Sequence, residues 1–457
     1  MDQSVRAPRQ AARPHVLIIV QNLPVPFDRR VWLECQALAS HGYEVSVICP
    51  KGPGDPARQV IDGVHLYKYA PPPQAEGLPG YAIEFAYCWL RTAILSLVVR
   101  ARRPFTILQA CNPPDTYWLL ARLWRPAGVR FIFDHHDLNP ELYLSRFGQP
   151  TGAKGKALYR GLLWLERMTF RAADRVISTN ESYRRIAIER GGLAPHLVTV
   201  VRSGPDTHAM RPLRVETTGD KPHELVYLGI MGPQDGVDQL LLVMDELRRR
   251  GRRDVHATLM GFGDCLEDLR RQCSDMGLDP WVTFTGRVDR DEIASRLSAA
   301  DIGLSPDLKT PLNDVSTMNK TMEYMAYGLP SVSFDLVETR VSGGDSVLYV
   351  PSGDIGAFAD AVERLLDDPG LREEMGLRAR RRVVAELDWR PQSRAYVGVY
   401  DELTGFRGTG DSSARAAAEP APADEPPAGV DALGRPYVDL RDTDGLRTFL
   451  IRRGRPA

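Results

Sequence analysis

In the stretch MNKTMEYMAYGLPSVSF, Met318 to Phe334, Lys320 and Glu323 stand three residues apart in a helical pattern that Gly328 and Pro330 close. Side chains at that spacing share a helix face. The pair is therefore either a solvated ion pair or a cation and an anion directed together into a cleft. A second cluster is FIFDHHDLNPE, in which Asp134, His135, His136 and Asp137 run consecutively. Metal ligation is the first thought, but successive strand residues point to opposite faces, so the four cannot all close on one ion and no metal site is expected. Further candidates sit at strand ends. Asp28 and Arg29 in PFDRR and Asn112 in ACNPPD lie where a phosphate or a second substrate could arrive, although the two prolines after Asn112 equally suit a strained loop. Arg202 in VVRSGPD is either a ligand-binding cation or one half of an interdomain ion pair. Gly261 and Gly263 form only a weak G-x-G, and LIIVQNLPVPFD contains no glycine, so a nicotinamide fingerprint is absent.

The elements that must position these residues follow from periodicity. From His15 onward short β-branched runs alternate with helical patterns, the signature of parallel βαβ units. Strands are expected at HVLIIV, EVSVICP, VHLYKYA, FTILQAC, RFIFDHHD, RVISTN and VTVVRSG. After the linker MRPLRVETTGDKPH the alternation restarts with ELVYLG, HATLMG, VTFTGR, IGLSP, PSVSF and VLYVP. The expected fold is α/β: two Rossmann-like, doubly wound parallel-sheet domains, 14–207 and 216–387, facing a cleft, with a helix at about 388–404 packing back on the first. Residues 405–457, rich in Pro, Ala and small polar residues, read as a disordered tail, its last stretch from Tyr437 able to form a short amphipathic segment that docks on the fold.

Composition narrows the function classes. At 457 residues the chain has room for two cores, and 58 basic against 59 acidic residues give no electrostatic case for nucleic-acid binding. Six cysteines without a C-x-x-C pair imply a reducing, cytoplasmic setting and no structural zinc. The first apolar run is a six-residue strand rather than a signal peptide. YAIEFAYCWLRTAILSLVVRARR is interrupted by Glu84 and Arg91, so it does not cross a bilayer. Arg91, Arg100, Arg102 and Arg103 around that helix either rest on anionic lipid or form the solvated edge of a core helix.

The succession LVYLGIMGPQDGVDQLLLVMDEL, ATLMGFGDCLEDLRR, VTFTGRV, AADIGLSP, KTMEYMAYGLPSVSFD and VLYVPSGD resembles the nucleotide-sugar-binding domain of family 4 glycosyltransferases, retaining enzymes of the GT-B fold. PFDRRVWLECQALASHGYEVSVICP and FDHHDLNPE resemble the acceptor domain of that family's polysaccharide-assembly branch. The resemblance covers about Val16 to Leu403. It implies that Glu323 accepts both ribose hydroxyls, that His136 contacts the transferred sugar, and that main chain at Arg287 and Val288 reads the base. It also exposes departures. Ile230 and Asp235 stand where the family carries a phosphate-gripping Arg and Lys, and Val315 stands eight residues before Glu323 where a first Glu is usual. Lys320 is then the candidate cation for the leaving diphosphate, assisted by helix N-terminal amides around Ser316 and Asn319 and by close backbone approach at Gly229 and Gly232.

The implied activity is a hexosyltransferase-type glycosyltransferase, moving sugar with retention from a nucleoside-diphosphate sugar to a glycan or lipid-linked acceptor in cell-surface or exopolysaccharide synthesis. No metal cofactor and no nucleic-acid partner are expected, and the implied location is cytoplasmic, peripheral to the inner face of the plasma membrane. A non-catalytic scaffold of an assembly complex and a nucleotide-sugar epimerase are the alternatives.

Overall fold

The computed structural model describes residues 13–72, 77–214, 221–408 and 428–452. The chain forms two compact units. The first takes residues up to Asn139, Ala153–Val201 and Ser393–Ala417; the second takes Pro140–Gly152, Arg202–Gln392 and Ala418–Ala457.

The first unit holds β1 (His15–Ile19), β2 (Glu44–Pro50), β3 (Arg58–Ile61), β4 (Val64–Tyr69), β5 (Ile107–Cys111), β6 (Arg130–His135), β7 (Arg175–Ser178) and β8 (Val198–Val200). Their order is β3-β4-β2-β1-β5-β6-β7-β8. Every residue of β1 and β5 is buried. Both faces of a parallel sheet are covered by helices, which is why these strands read as unbroken apolar runs. The edge strand β3 pairs antiparallel with β4 and is half exposed. Four residues of RQVI carry no strong pattern, so sequence reading passes over it.

Helices α1 (Arg29–His41), α2 (Gly77–Arg102), α3 (Trp118–Trp124) and α4 (Gly152–Ala172) accompany this sheet. One core cluster joins Leu17, Leu108 and Phe131 of the sheet to Val99 of α2, Leu120 of α3 and Phe170 of α4.

The second unit holds β9 (His223–Ile230), β10 (Val255–Phe262), β11 (Val282–Gly286), β12 (Ile302–Ser305), β13 (Ser331–Phe334) and β14 (Val347–Val350), in the order β11-β10-β9-β12-β13-β14. All its pairings are parallel. Helices α5 (Val237–Arg249), α6 (Asn319–Ala326), α7 (Val337–Gly343) and α8 (Pro369–Arg382) belong to it. In each sheet the strand order reverses at one strand: β1 lies between β2 and β5, and β9 lies between β10 and β12. The carboxyl ends around such a reversal form the crevice where open α/β sheets take ligands.

Helix α9 (Trp389–Thr404) carries the chain from the second unit back to the first. At its start the Trp389 amide donates to Pro205 O (3.0 Å). Further along, Tyr396 OH donates to Gln109 Oε1 (2.6 Å) and lies 2.8 Å from Tyr400 OH.

Part of the 405–457 stretch lies within the described residues. Residues 428–442 and helix α10 (Thr443–Arg452) return to the second unit, where Val438, Leu440, Leu446 and Leu450 cluster with Leu377 of α8. Tyr437 bridges to Leu213, and the Arg211 guanidinium lies 3.8 Å from the centre of its ring. Sparse apolar residues suffice because each meets a complementary position on a surface already folded. The Pro- and Ala-rich residues 409–427 lie outside the described residues.

Candidate active site

In the first unit the chain turns from β1 into α1 at PFDRR. Asp28 caps the helix, its carboxylate accepting from the Val31 amide (3.1 Å). That cap is the structural role the fold gives Asp28. Arg29 is exposed, whereas Arg30 is directed inward. The Arg30 guanidinium donates to Val201 O (2.9 Å) and to Asp134 Oδ1 (3.1 Å), and pairs with Glu34 Oε1 (3.0 Å). Its Nε also lies 2.9 Å from His136 Nε2. Gln109, a polar residue inside a buried strand, donates from one amide nitrogen to both Glu34 Oε2 and Asp134 Oδ2 (2.9 Å each).

His136 is fixed from two sides. Its Nε2 is 2.7 Å from Asp134 Oδ2, and its backbone amide donates to Asn112 Oδ1 (2.7 Å). Asn112 also accepts from the Asp137 amide (3.0 Å) and donates to Asp137 O (2.7 Å). Asn112 is thus a bracket for the 136–137 turn. With Nε2 committed to Asp134, Nδ1 has no partner among the described residues.

His135 points away, as strand alternation requires, into Phe133, Phe170 and Tyr183 with ring centres 5.1–5.3 Å apart. Burial and the nearby Arg190 charge push its pKa down to about 3, so it is neutral.

The electrostatics of this cluster divide its two carboxylates. Burial opposes the charge on Asp134, but His136 and Arg30 outweigh it and hold that carboxyl well below the usual range. Burial and the Asp134 charge together push Glu34 well up, beyond what Arg30 offsets. Glu34, Cys111, Asp134 and His136 each offer an atom within 4.8 Å of the others, a spacing a metal could use. The Arg30 guanidinium bonds three of those four residues, and burial pushes the Cys111 thiol far up, against the thiolate a metal would need. The set is better matched to a fixed guanidinium than to an ion.

In the second unit the crevice between β9 and β12 is lined differently. Lys320, on the first turn of α6, donates to both oxygens of Asp307, just past β12 (2.7 and 2.9 Å). Both side chains are buried, and Lys320 Nζ lies 5.3 Å from the centre of the Tyr227 ring. The expected choice between a wet Lys320–Glu323 pair and a free cation is resolved by neither. Lys320 is locked by a carboxylate thirteen positions upstream that the sequence reading did not single out. Glu323 is itself buried on α6.

Asp235 accepts from the Gly232 amide (2.9 Å). Burial raises its carboxyl to about 6, with Lys320 pulling down and Asp307 pushing up. At Gly229 a Cβ would meet the Tyr227 hydroxyl at 2.8 Å and Lys320 Cε at 3.2 Å. Glycine there makes room for the lysine. A Cβ at Gly232 would meet the Gln234 and Asp235 side chains.

Arg202 is paired with the buried Glu338 on α7 (3.4 Å), a pair within the second unit and not the interdomain one expected. Ser316 Oγ donates to Leu312 O (2.8 Å), and Asn319 is exposed at the start of α6, whose N-cap residue Met318 makes no side-chain cap hydrogen bond. Arg287 is exposed with its guanidinium 5.8 Å from the Phe262 ring centre, and Val288 is half buried.

Residues missed were Arg30, Glu34, Gln109 and Asp307. Gln109 had a legible signal, a polar residue within the buried run ILQAC, which demands partners.

The chain matches two family models, a glycosyl transferase 4-like domain over residues 28–204 and glycosyl transferases group 1 over residues 222–368. It is 25% identical over 382 residues to a glycogen synthase of Mycobacterium tuberculosis, covering 80% of this chain and 88% of that one. Sucrose-phosphate synthase from Thermosynechococcus elongatus superimposes with a TM-score of 0.69 at 19% identity, over 86% of this chain and all of that one. Anabaena HepE, solved in complex with UDP, gives 0.61 at 14% identity with the same coverage. The two family models place this chain among the group 1, family-4-like glycosyltransferases, and the solved structures show the GT-B fold.

Proposed function

We propose that the protein transfers a sugar, with retention, from a nucleoside-diphosphate sugar to a glycan or lipid-linked acceptor presented at a membrane, in the synthesis of a cell-surface polysaccharide. The observation that carries the reading is the Lys320–Asp307 pair at the β9/β12 crevice. It sets a cation at the strand-order reversal of a family member that lacks the usual phosphate-gripping Arg and Lys. Glu323 on the same helix accepts the ribose hydroxyls, a task for which one planar acceptor suits two neighbouring donors. As the anomeric C–O bond breaks, negative charge grows on the departing diphosphate. Lys320 then exchanges one Asp307 oxygen for a phosphate oxygen, and this interaction strengthens toward the transition state.

The acceptor hydroxyl attacks the anomeric carbon from the face the diphosphate leaves, and its proton passes to the departing phosphate oxygen, so no protein nucleophile is required. His136, its ring set by Asp134 and its backbone by Asn112, offers Nδ1 as the contact to the transferred sugar. Structural neighbours solved with UDP support a uridine donor as the first to try.

The test is a donor panel read by release of nucleoside diphosphate, with the product anomer assigned by NMR and EDTA present in a parallel series. Turnover with retained configuration, unaffected by chelation, supports the reading. Inversion, or loss on chelation that a divalent ion restores, overturns it.

A further inference from the structure

Helix α2 is apolar on both sides. One stripe, including Cys88, Thr92 and Val99, is buried in the first unit. The opposite stripe consists of Ile83, Ala86, Leu90, Ile94, Leu97 and Ala101, all exposed, with Ile83 at 60% and Leu97 at 59%. These positions recur at i, i+3, i+7, i+11, i+14 and i+18, one straight face of a helix. A solvated helix would place its charges there. The apolar surface continues onto neighbouring helices. Trp124 of α3 donates to Ser96 of α2 (3.1 Å), and Trp118 of α3 meets Trp164 of α4 edge-on (5.9 Å). Leu119 and Leu123 of α3 and Trp164 of α4 are also exposed.

Charge tells what covers this face. Helix α4 exposes Lys154, Lys156, Arg160, Arg167 and Arg171. Its one acid, Glu166, is buried and bonded to Arg190 (2.6 Å). Arg91 and Arg102 flank the α2 stripe, and Arg122 stands exposed on α3. A chain that is nearly neutral overall thus concentrates cations around this outward apolar stripe. Among the described residues no helix is long and apolar enough to cross a membrane. Apolar side chains ringed by basic ones match the acyl and headgroup layers of one anionic leaflet.

We infer that the outer face of α2, α3 and α4 is a docking surface for an anionic lipid bilayer, with the α2 stripe inserted at the level of the headgroups and the α4 cations on lipid phosphates. The inference gives a specific surface to the membrane-presented acceptor proposed above, but its test needs no turnover, so either can fail alone.

The experiment floats the purified full chain with phosphatidylcholine vesicles, with and without a minor fraction of phosphatidylglycerol. The wild type is expected to bind the anionic vesicles, less so at high salt, and Leu90→Glu/Ile94→Glu/Leu97→Glu is expected to lower the bound fraction by about tenfold or more. Arg160→Glu/Arg167→Glu should reduce binding to anionic vesicles alone and flatten the salt dependence. Quenching of wild-type tryptophan fluorescence by brominated lipid gives a reading independent of any variant's folding, since Trp164 lies on the surface. No flotation of the wild type, no quenching, or variants that bind as the wild type does would overturn the inference. So would light scattering that shows a dimer which the triple variant splits, because the face would then belong to a second copy of this chain.

Discussion

Replacing Asp307 by Asn tests whether Lys320 is a working cation or a structural one. In the free protein both carboxylate oxygens hold the ammonium, at 2.7 and 2.9 Å, and Ser305 Oγ donates to the same group (2.9 Å). A diphosphate must compete with that carboxylate for the lysine. Asparagine keeps one acceptor oxygen and removes the charge. A hydrogen bond to a charged group contributes about 1.5–3 kcal/mol and a neutral one about 1. Release of Lys320 should therefore cost about 0.5–2 kcal/mol less, which is roughly 2- to 30-fold tighter binding of nucleoside diphosphate. Free nucleoside carries no phosphate, so its affinity should stay put. Stability should fall, though by less than the roughly 3–5 kcal/mol of an uncompensated buried charge, because Asp235 is near enough for the Lys320 charge to act on it. Calorimetric titration of the variant with UDP, GDP and their nucleosides, beside a thermal melt, measures every quantity involved. Unchanged diphosphate affinity, or an equal change for nucleoside and diphosphate, would show that the ammonium never meets phosphate.

Glu323→Gln should lower kcat/KM by roughly 10- to 150-fold through loss of a charged acceptor, seen in steady-state donor kinetics. Burial raises the Asp235 carboxyl to about 6, so the stability it contributes is complete below the ordinary value near 4 and is lost as pH rises through 6. Asp235→Asn should accordingly gain Tm over wild type at pH 7–8 but gain little near pH 4, and melts across that range check the sign. Truncation after Gly408 should lower Tm by several degrees, since it strips Val438, Leu440, Leu446 and Leu450 from Leu377; differential scanning calorimetry reads this, and an unchanged melt would show that the returning tail adds nothing.

Fold was legible because it is written in short-range pattern. Thirteen of the strands are apolar or alternating runs in their expected order, and the missing β3 is a four-residue edge whose exposed and half-buried alternation resembles a loop. The site was less legible, for two physical reasons. Partners that meet across a sheet are set by strand order: Asp307 meets Lys320 because β12 lies beside β9 and β13, which no local window reveals. Helix phase matters equally. Arg29 and Arg30 differ by about 100° around α1, enough to send one to solvent and the other into the Glu34–Asp134 pair. The family resemblance fixed attention on residue types expected to grip phosphate and so passed over the acids that restrain them.

Those acids share a logic. In each unit a cation at a strand-order reversal is held by carboxylates: Arg30 by Glu34 and Asp134, Lys320 by Asp307 with Asp235 nearby. A cation so matched is preorganised, its rotamer already fixed, yet it exerts little net field on an approaching anion. At Lys320 an isolated phosphate gains one ionic contact only by displacing another, so charge alone supplies little affinity. On the proposed reading, a nucleoside diphosphate also gains hydrogen bonds from its ribose hydroxyls to Glu323. The arrangement thus exchanges general affinity for phosphate against discrimination by the whole donor, and inorganic pyrophosphate should compete far more weakly with the donor than nucleoside diphosphate does. An inhibition series of pyrophosphate, nucleoside and nucleoside diphosphate decides this, and pyrophosphate inhibiting as strongly as the nucleoside diphosphate would mean that Lys320 is an open cation in solution.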